Sequence, residues 1–301
     1  MSAFVNVNGR LTDAASAVIS VFDHGFLYGE GVYEVYRTYH AEPFLFDRHM
    51  QRLRASAAMI HLAVPFSDAE IRRRSEDTSR AAGLGLQADG TWREAYVRIL
   101  LTRGIGEITY DPAATPEPSL IIIAKPLPVV PDTHYSAGVK VVFVDPIRNH
   151  PRSVSPLIKS NNLLNNALGM QQAIRQGAAE GIFRNYRGEL AECAQSNLFV
   201  VKDGVLRTPP LDAGLLAGIT RAFVLEVAAL AGVPAEEAVL FDRDLLEADE
   251  AFFTSSTKEI VPIVRVGESS IGGGTPGPVT GQLLAAFRAR AEELTRPPQP
   301  A

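Results

Sequence analysis

At 301 residues the chain exceeds one average domain and implies two. Apolar residues make up 46% and charged residues 21%, the balance of a globular protein with a sizeable core, which excludes wholesale disorder. With 29 Lys and Arg against 34 Asp and Glu the net charge is −5, so no nucleic-acid partner is indicated. The single cysteine, Cys193, cannot form an internal disulfide and makes a cytoplasmic setting the default.

Residues 1–10 carry neither a basic leader nor a continuous apolar segment, so no signal peptide is expected. Runs such as 120–124 fall far short of the ~20 apolar residues of a membrane span. Strands are predicted at 5–7, 17–21 and 31–37, where β-branched and aromatic residues gather. From Asp47 onward Met50, Leu53, Ala57 and Ile60 recur at helical spacing, with Asp47 as the expected cap. Ser67-Asp68-Ala69-Glu70 has capping-box spacing and opens a second helix that should stop at Gly83. Strands return at 95–102 and 119–125.

Pro116, Pro118, Pro126, Pro128 and Pro131 then exclude helix and central strand, because proline lacks the amide hydrogen and fixes φ. The expected organisation is a small α/β domain over 1–125, a linker over 126–132 and a larger α/β domain over 133–301. In the larger domain a strand is predicted at 139–144. After Lys159, Leu163, Leu164, Ala167, Leu168 and Ile174 trace one face of a helix whose start is capped by Ser160-Asn161-Asn162. Further strands are expected at 181–183, 197–201, 251–253 and 261–266. Helices are expected at 220–231, closed by Gly232 and Pro234, and at 278–294, with Pro297, Pro298 and Pro300 marking a frayed tail.

Several chemistries are excluded by spacing. The sequence has no Gly-x-x-x-x-Gly-Lys loop, no dinucleotide glycine fingerprint and no Gly-x-Ser-x-Gly elbow. The six histidines, at 24, 40, 49, 61, 134 and 150, lack zinc-ligand spacing, and no metal site is expected. What remains is Lys159, in Pro156-Leu157-Ile158-Lys159-Ser160-Asn161-Asn162, at an element junction where apolar neighbours can desolvate its amine. A desolvated lysine loses its charge more easily and attacks carbonyls, as Schiff-base chemistry requires; composition alone would make it a solvated surface lysine. Leu216-Ala217-Gly218-Ile219-Thr220-Arg221 is a glycine-containing turn into an apolar helix, which is either a capped helix or a phosphate site, and Ser255-Ser256-Thr257 offers more hydroxyls.

These segments, with Phe46-Asp47-Arg48-His49-Met50-Gln51-Arg52-Leu53 and Glu192-Cys193-Ala194-Gln195-Ser196-Asn197-Leu198-Phe199, occur in an order that resembles the class IV pyridoxal-phosphate aminotransferases. That family includes branched-chain aminotransferases, D-amino acid aminotransferases and aminodeoxychorismate lyases, and the resemblance covers nearly the whole chain. It implies the two-domain α/β architecture of fold type IV, a D-amino acid aminotransferase-like fold with the active site at the domain interface, in a homodimer. It further implies that Lys159 holds the aldehyde of pyridoxal 5'-phosphate as a Schiff base and carries the α-proton. Glu192 would face the pyridine nitrogen and keep it protonated. Arg52 would clamp the phosphate, helped by the amides of Ile219 and Thr220, the Thr220 hydroxyl and Ser256, and Leu216 would pack on the ring.

For the substrate, Tyr96-Val97-Arg98 resembles the Tyr-x-Arg element of branched-chain aminotransferases, and Arg37 resembles the arginine of their Gly-Ile-Arg segment. Val32-Tyr33-Glu34-Val35 and Thr102-Arg103-Gly104 instead resemble D-amino acid aminotransferases, and Leu164 stands where branched-chain enzymes place a tyrosine. The implied substrate residues are Tyr33, Arg37, Tyr96, Arg98, Arg103 and Thr257. An arginine can bind either the α-carboxylate or the distal carboxylate, and the stereochemistry rests on which way Arg98 and Arg103 point, which the sequence leaves open. The reading favoured is ping-pong transfer from a hydrophobic branched-chain-like L-amino acid or glutamate to a 2-oxo acid. The alternatives are a D-amino acid or (R)-amine aminotransferase, or an aminodeoxychorismate lyase.

Overall fold

The computed structural model describes residues 3–296, so the tail expected at 297–300 lies outside the described residues. The chain divides into two compact units. The first takes the chain up to Pro128 together with Ile158–Asn162 and the end from Glu292; the second takes Val129–Leu157 and Leu163–Ala291.

The first unit contains β1 (Phe4–Val7), β2 (Arg10–Asp13), α1 (His24–Leu27), β3 (Gly31–Tyr39), β4 (Glu42–Pro43), α2 (Phe46–Met59), α3 (Asp68–Ala81), β5 (Gly85–Leu86), β6 (Trp92–Arg93), β7 (Ala95–Thr102) and β8 (Ser119–Pro126). Six strands form a sheet in the order β2-β1-β8-β7-β3-β4. Period-2 alternation sorts β3 into a buried row, Val32, Glu34, Tyr36 and Thr38, and a half-buried row, Tyr33, Val35, Arg37 and Tyr39. The buried row packs against α2, whose Phe46, Met50, Leu53 and Ala57 join Ile71 of α3 and Val97, Ile99 and Leu101 of β7 in one core.

Residues 17–21 form no strand: Asn8 and Gly9, both at positive φ, turn the chain so that β2 pairs with β1, while Val18, Ile19 and Val21 are exposed. Asp47 does not cap α2, which starts at Phe46 behind Leu45 in the left-handed region, two residues earlier than a cap at Asp47 would set; Asp47 lies in the first turn, where its charge complements the helix dipole. Ser67 does cap α3, accepting from the Glu70 amide at 3.1 Å.

The second unit contains α4 (Asp132–Ser136), β9 (Val139–Phe143), α5 (Leu164–Arg175), β10 (Glu180–Arg184), β11 (Leu190–Cys193), β12 (Asn197–Lys202), β13 (Val205–Thr208), α6 (Ile219–Leu230), β14 (Ala235–Glu237), α7 (Asp242–Leu246), β15 (Glu250–Ser255), β16 (Glu259–Val266) and β17 (Ser269–Ser270). α8 (Pro278–Thr295) closes the described chain. Its sheet runs β11-β10-β9-β16-β15-β12-β13-β14, with β17 on β16. β9 is parallel to both neighbours, so it needs apolar residues on both faces: Val139 and Val141 enter one core with Ile182, Leu198 and Phe253, and Val142 enters another with Phe183 and Ala173 of α5.

Candidate active site

The segment carrying Lys159 belongs to the first unit, not to the C-terminal domain where the sequence placed it. It runs beside the start of β3. Val32 and Ser160 form a bridge, the Tyr33 amide donates to the Lys159 carbonyl at 2.9 Å, and the Asn161 amide donates to the Gly31 carbonyl at 2.9 Å. Gly31 is needed because a Cβ there would overlap the Asn161 side chain. The Lys159 amide donates to the buried Ser56 hydroxyl of α2 at 3.1 Å. Ser160-Asn161-Asn162 therefore does not cap α5, whose first residue follows Leu163 with no side-chain cap. The Lys159 side chain is half-buried, with Nζ 4.5 Å from the centre of the Tyr33 ring.

Behind Tyr33, on the helix side of β3, lies a buried charge cluster. Arg52 donates Nε and one Nη to the two oxygens of Glu34, each at 2.7 Å, and His49, one turn earlier on α2, donates Nδ1–H to Glu34 at 2.7 Å. Glu34 is fully buried, which by itself would raise its pKa, yet the Arg52 charge and the Arg52 and His49 hydrogen bonds outweigh this and hold it down to about 2. Burial lowers the pKa of His49, against the pull of Glu34, and the Arg52 and Lys159 charges depress it further. The fork of Arg52 is thus engaged with Glu34, and its side chain keeps 12% exposure.

Of the substrate residues expected, Tyr33, Arg37, Tyr96 and Arg98 come together on the sheet face turned away from α2 and α3. The β3–β7 register pairs Arg37 with Tyr96 and Val35 with Arg98, and Arg98 Cζ lies 4.2 Å from the Tyr33 ring centre. Arg103 does not join them. It donates to Glu30 at 2.8 Å and to the carbonyls of Ile60 and His61 at 2.7 and 3.4 Å, fastening the end of α2. Its guanidinium neutralises carbonyls that a helix C-terminus leaves unpaired.

In the second unit Glu192, on β11, is buried and accepts three N–H groups: Arg148 Nε at 2.7 Å, the Leu216 amide at 3.1 Å and Asn197 Nδ2 at 3.3 Å. Arg148 is itself buried and donates to Asn165 of α5 at 2.9 Å. Asn197 also donates to the Leu216 carbonyl at 3.0 Å, so the carboxylate and the turn into α6 are held as one piece. α6 begins behind Gly218 with no side-chain cap, because any Cβ at 218 would overlap Asn197. The first amides, at Ile219 and Thr220, are available to an anion, and Thr220 is buried. Asn197 pairs in the sheet with Thr254, which brings the end of β15 beside this turn. Thr254 Oγ1 and Ser255 Oγ are buried without a hydrogen-bond partner. Ser256, Thr257 and Lys258 form the following turn, pinned by Lys258 Nζ to the buried Glu180 at 3.1 Å and by Tyr135 Oη to the Lys258 carbonyl at 3.1 Å. Leu164, at the start of α5, is 66% exposed.

The sequence did not single out Glu34, His49, Arg148, Asn197 or Lys258, which the structure places in contact with the candidate residues or the turn that carries them. His49 and Asn197 lie within the Arg52 and Glu192 segments, whereas nothing contiguous in the sequence signalled Glu34, Arg148 or Lys258.

The Amino-transferase class IV family model matches residues 31–266. The chain is 34% identical over 285 residues to a putative branched-chain-amino-acid aminotransferase of Methanocaldococcus jannaschii, covering 94% of this chain and 95% of that protein. It is 36% identical over 297 residues to a D-alanine aminotransferase of Listeria monocytogenes, covering 97% and 96%. The solved branched-chain amino acid aminotransferase from Escherichia coli matches with a TM-score of 0.85 at 31% identity, covering 95% of this chain and 93% of that one. With this match across nearly its whole length, on a mixed α/β scaffold of fold type IV, the chain belongs to the class IV aminotransferases.

Proposed function

We propose that this aminotransferase uses pyridoxal 5'-phosphate to move the amino group of a hydrophobic, branched-chain-like L-amino acid or of glutamate to a 2-oxo acid in two half-reactions. The observation that carries the reading is the buried Glu192 with its three N–H donors, tied through Asn197 to the uncapped start of α6. A buried carboxylate beside an anion-ready helix start suits a cofactor with a basic ring nitrogen and a phosphate. The unpartnered hydroxyls of Thr254 and Ser255 fit the same anion. When bound, the cofactor supplies an aldehyde for the substrate amine and a ring that takes up the electron pair left by α-proton removal.

In this reading Lys159 Nζ is the nucleophile and then the base that moves the proton. Tyr33 orients it through its ring face, and the backbone bonds from Tyr33 and Ser56 fix its Cα. Glu192, Ile219, Thr220, Ser256 and Leu216 bind the cofactor, with Arg52 adding a positive charge that Glu34 positions. Tyr33, Arg37, Tyr96, Arg98 and Thr257 receive the substrate. What favours the L-amino acid reading over the D-amino acid one is that Arg98 shares the Tyr33 ring with Lys159, whereas Arg103 is committed to the end of α2.

The protein is further proposed to be a cytoplasmic homodimer. Around the Asp23–Ile105 bridge, Val21, Phe22, Phe26, Ile108 and Tyr110 are each at least 50% exposed, an apolar surface that a second copy would cover. Sedimentation at micromolar concentration tests the dimer. The function is tested by borohydride reduction, which should fix a pyridoxyl group on Lys159 by mass. It is also tested by an amino-donor panel of L- and D-Val, Leu, Ala and Glu with a chiral arylalkylamine. Turnover confined to D-amino acids or the (R)-amine, or pyruvate release from aminodeoxychorismate without transfer, would replace this reading with one of the alternatives.

A further inference from the structure

The turn between β15 and β16 is held from outside more than by its own backbone. Its closing hydrogen bond, from the Lys258 amide to the Ser255 carbonyl, is 3.3 Å long, at the weak end of the range. Glu259 follows at a φ of 59°, in the left-handed region, where a residue other than glycine persists only when its surroundings impose it. Three contacts do so. The buried Glu259 carboxylate accepts Arg288 Nε of α8 at 2.7 Å, Tyr135 Oη of α4 donates to the Lys258 carbonyl at 3.1 Å, and Lys258 Nζ donates to Glu180 Oε1 at 3.1 Å. Ser256 and Thr257, just before these anchors, stay half-buried.

Glu180 joins this turn to a second segment. It is fully buried, and besides Lys258 it accepts the Ser196 hydroxyl at 3.0 Å and the Gln195 amide at 3.3 Å. Those residues lead directly into Asn197, whose side chain holds the Leu216 carbonyl at the entry to α6. One carboxylate thus ties the Ser255–Lys258 turn to the strand that carries the uncapped start of α6. The Lys258 ammonium is engaged inward, on Glu180 and 5.5 Å from the centre of the Phe253 ring, so Lys258 acts on the turn through its backbone.

We propose that Lys258 is a positioning residue: its ion pair with Glu180 fixes the Ser255–Thr257 turn against the start of α6, so that the hydroxyls and amides of both meet one phosphate group. The proposal rests on the reading of this turn as part of a pyridoxal 5'-phosphate site. Donors that already stand in place bind an anion more tightly than donors a loose turn must first order. The buried, unpartnered hydroxyls of Thr254 and Ser255 lie at the root of that turn.

The test starts from full-length holoenzyme freed of its cofactor by dialysis and titrated by absorbance with pyridoxal 5'-phosphate and with pyridoxal, which lacks the phosphate. The readout is the ratio of the two affinities, which a general loss of structure would not move. In Lys258→Met the preference for the phosphorylated compound should fall roughly 10- to 100-fold, with pyridoxal affinity near wild type, and Lys258→Arg should restore most of it. Glu180→Gln keeps the side-chain volume and breaks the same ion pair; it should reproduce the fall, and it serves as the test if Lys258→Met does not fold. A ratio within about twofold of wild type in a folded variant, including a parallel loss of both affinities, overturns the proposal while leaving the cofactor reading intact. A wild type that binds the two compounds equally would refute the phosphate reading of the site, and the proposal with it.

Discussion

Glu34→Gln keeps the side-chain volume and removes the charge that balances Arg52. Glu34 is fully buried, and its pKa falls from an ordinary 4.5 to about 2 because Arg52 and His49 outweigh the burial that would raise it. A fall of that size corresponds to about 3 kcal/mol of folded-state stability, the same order as the roughly 3–5 kcal/mol lost when one partner of a buried ion pair is deleted. The sign follows from the depressed value. The stabilisation is complete above pH 4.5, where the unfolded chain is also ionised, and it is lost as pH falls toward 2. Unfolding of wild type and variant, followed by circular dichroism at pH 7 and at steps down to pH 2, should show the variant destabilised by about 3 kcal/mol at pH 7, or roughly 6–12 °C in midpoint. The difference should shrink below pH 4.5. Combining Glu34→Gln with Arg52→Met should recover part of the loss, because no uncompensated guanidinium then remains. A loss under about 0.5 kcal/mol, or a difference that does not shrink in acid, would refute the reasoning.

Lys159→Ala should abolish turnover and leave the circular dichroism spectrum and unfolding midpoint near wild type, because the hydrogen bonds to Tyr33 and Ser56 come from the Lys159 backbone; measurable turnover would remove Lys159 from the chemistry. Glu192→Gln should slow α-proton removal by about 100-fold or more in single-turnover absorbance with cofactor retained, and an unchanged rate would end its assigned role. Arg103→Leu should cost about 1–3 kcal/mol by freeing the end of α2, with donor preferences kept; a selective change in substrate preference at full stability would return Arg103 to the substrate site.

Lys159, Glu192 and the turn at Gly218 were legible in the sequence because each sits in a short contiguous motif, and the strands and helices around them follow from local periodicity. Residues 17–21 misled because β-branched composition reports a willingness to pair, whereas the hairpin at Asn8 and Gly9 assigns the partner. The start of α2 slipped by two residues, from a cap at Asp47 to one at Leu45, because Leu45 takes the left-handed conformation that its residue type disfavours.

The sequence by itself determined the family and most of the alternation that sorts each strand into two faces, and it supplied Lys159 as the candidate nucleophile, since these depend on neighbours a few residues apart. Only the tertiary structure decided that Arg148 meets Glu192, that Glu34 engages Arg52, that Arg103 serves α2 and that Arg98 and Lys125 flank Tyr96. The physical reason is that a charge is paired by whatever the fold brings within about 3 Å, and such partners lie far apart in the chain, where periodicity carries no information.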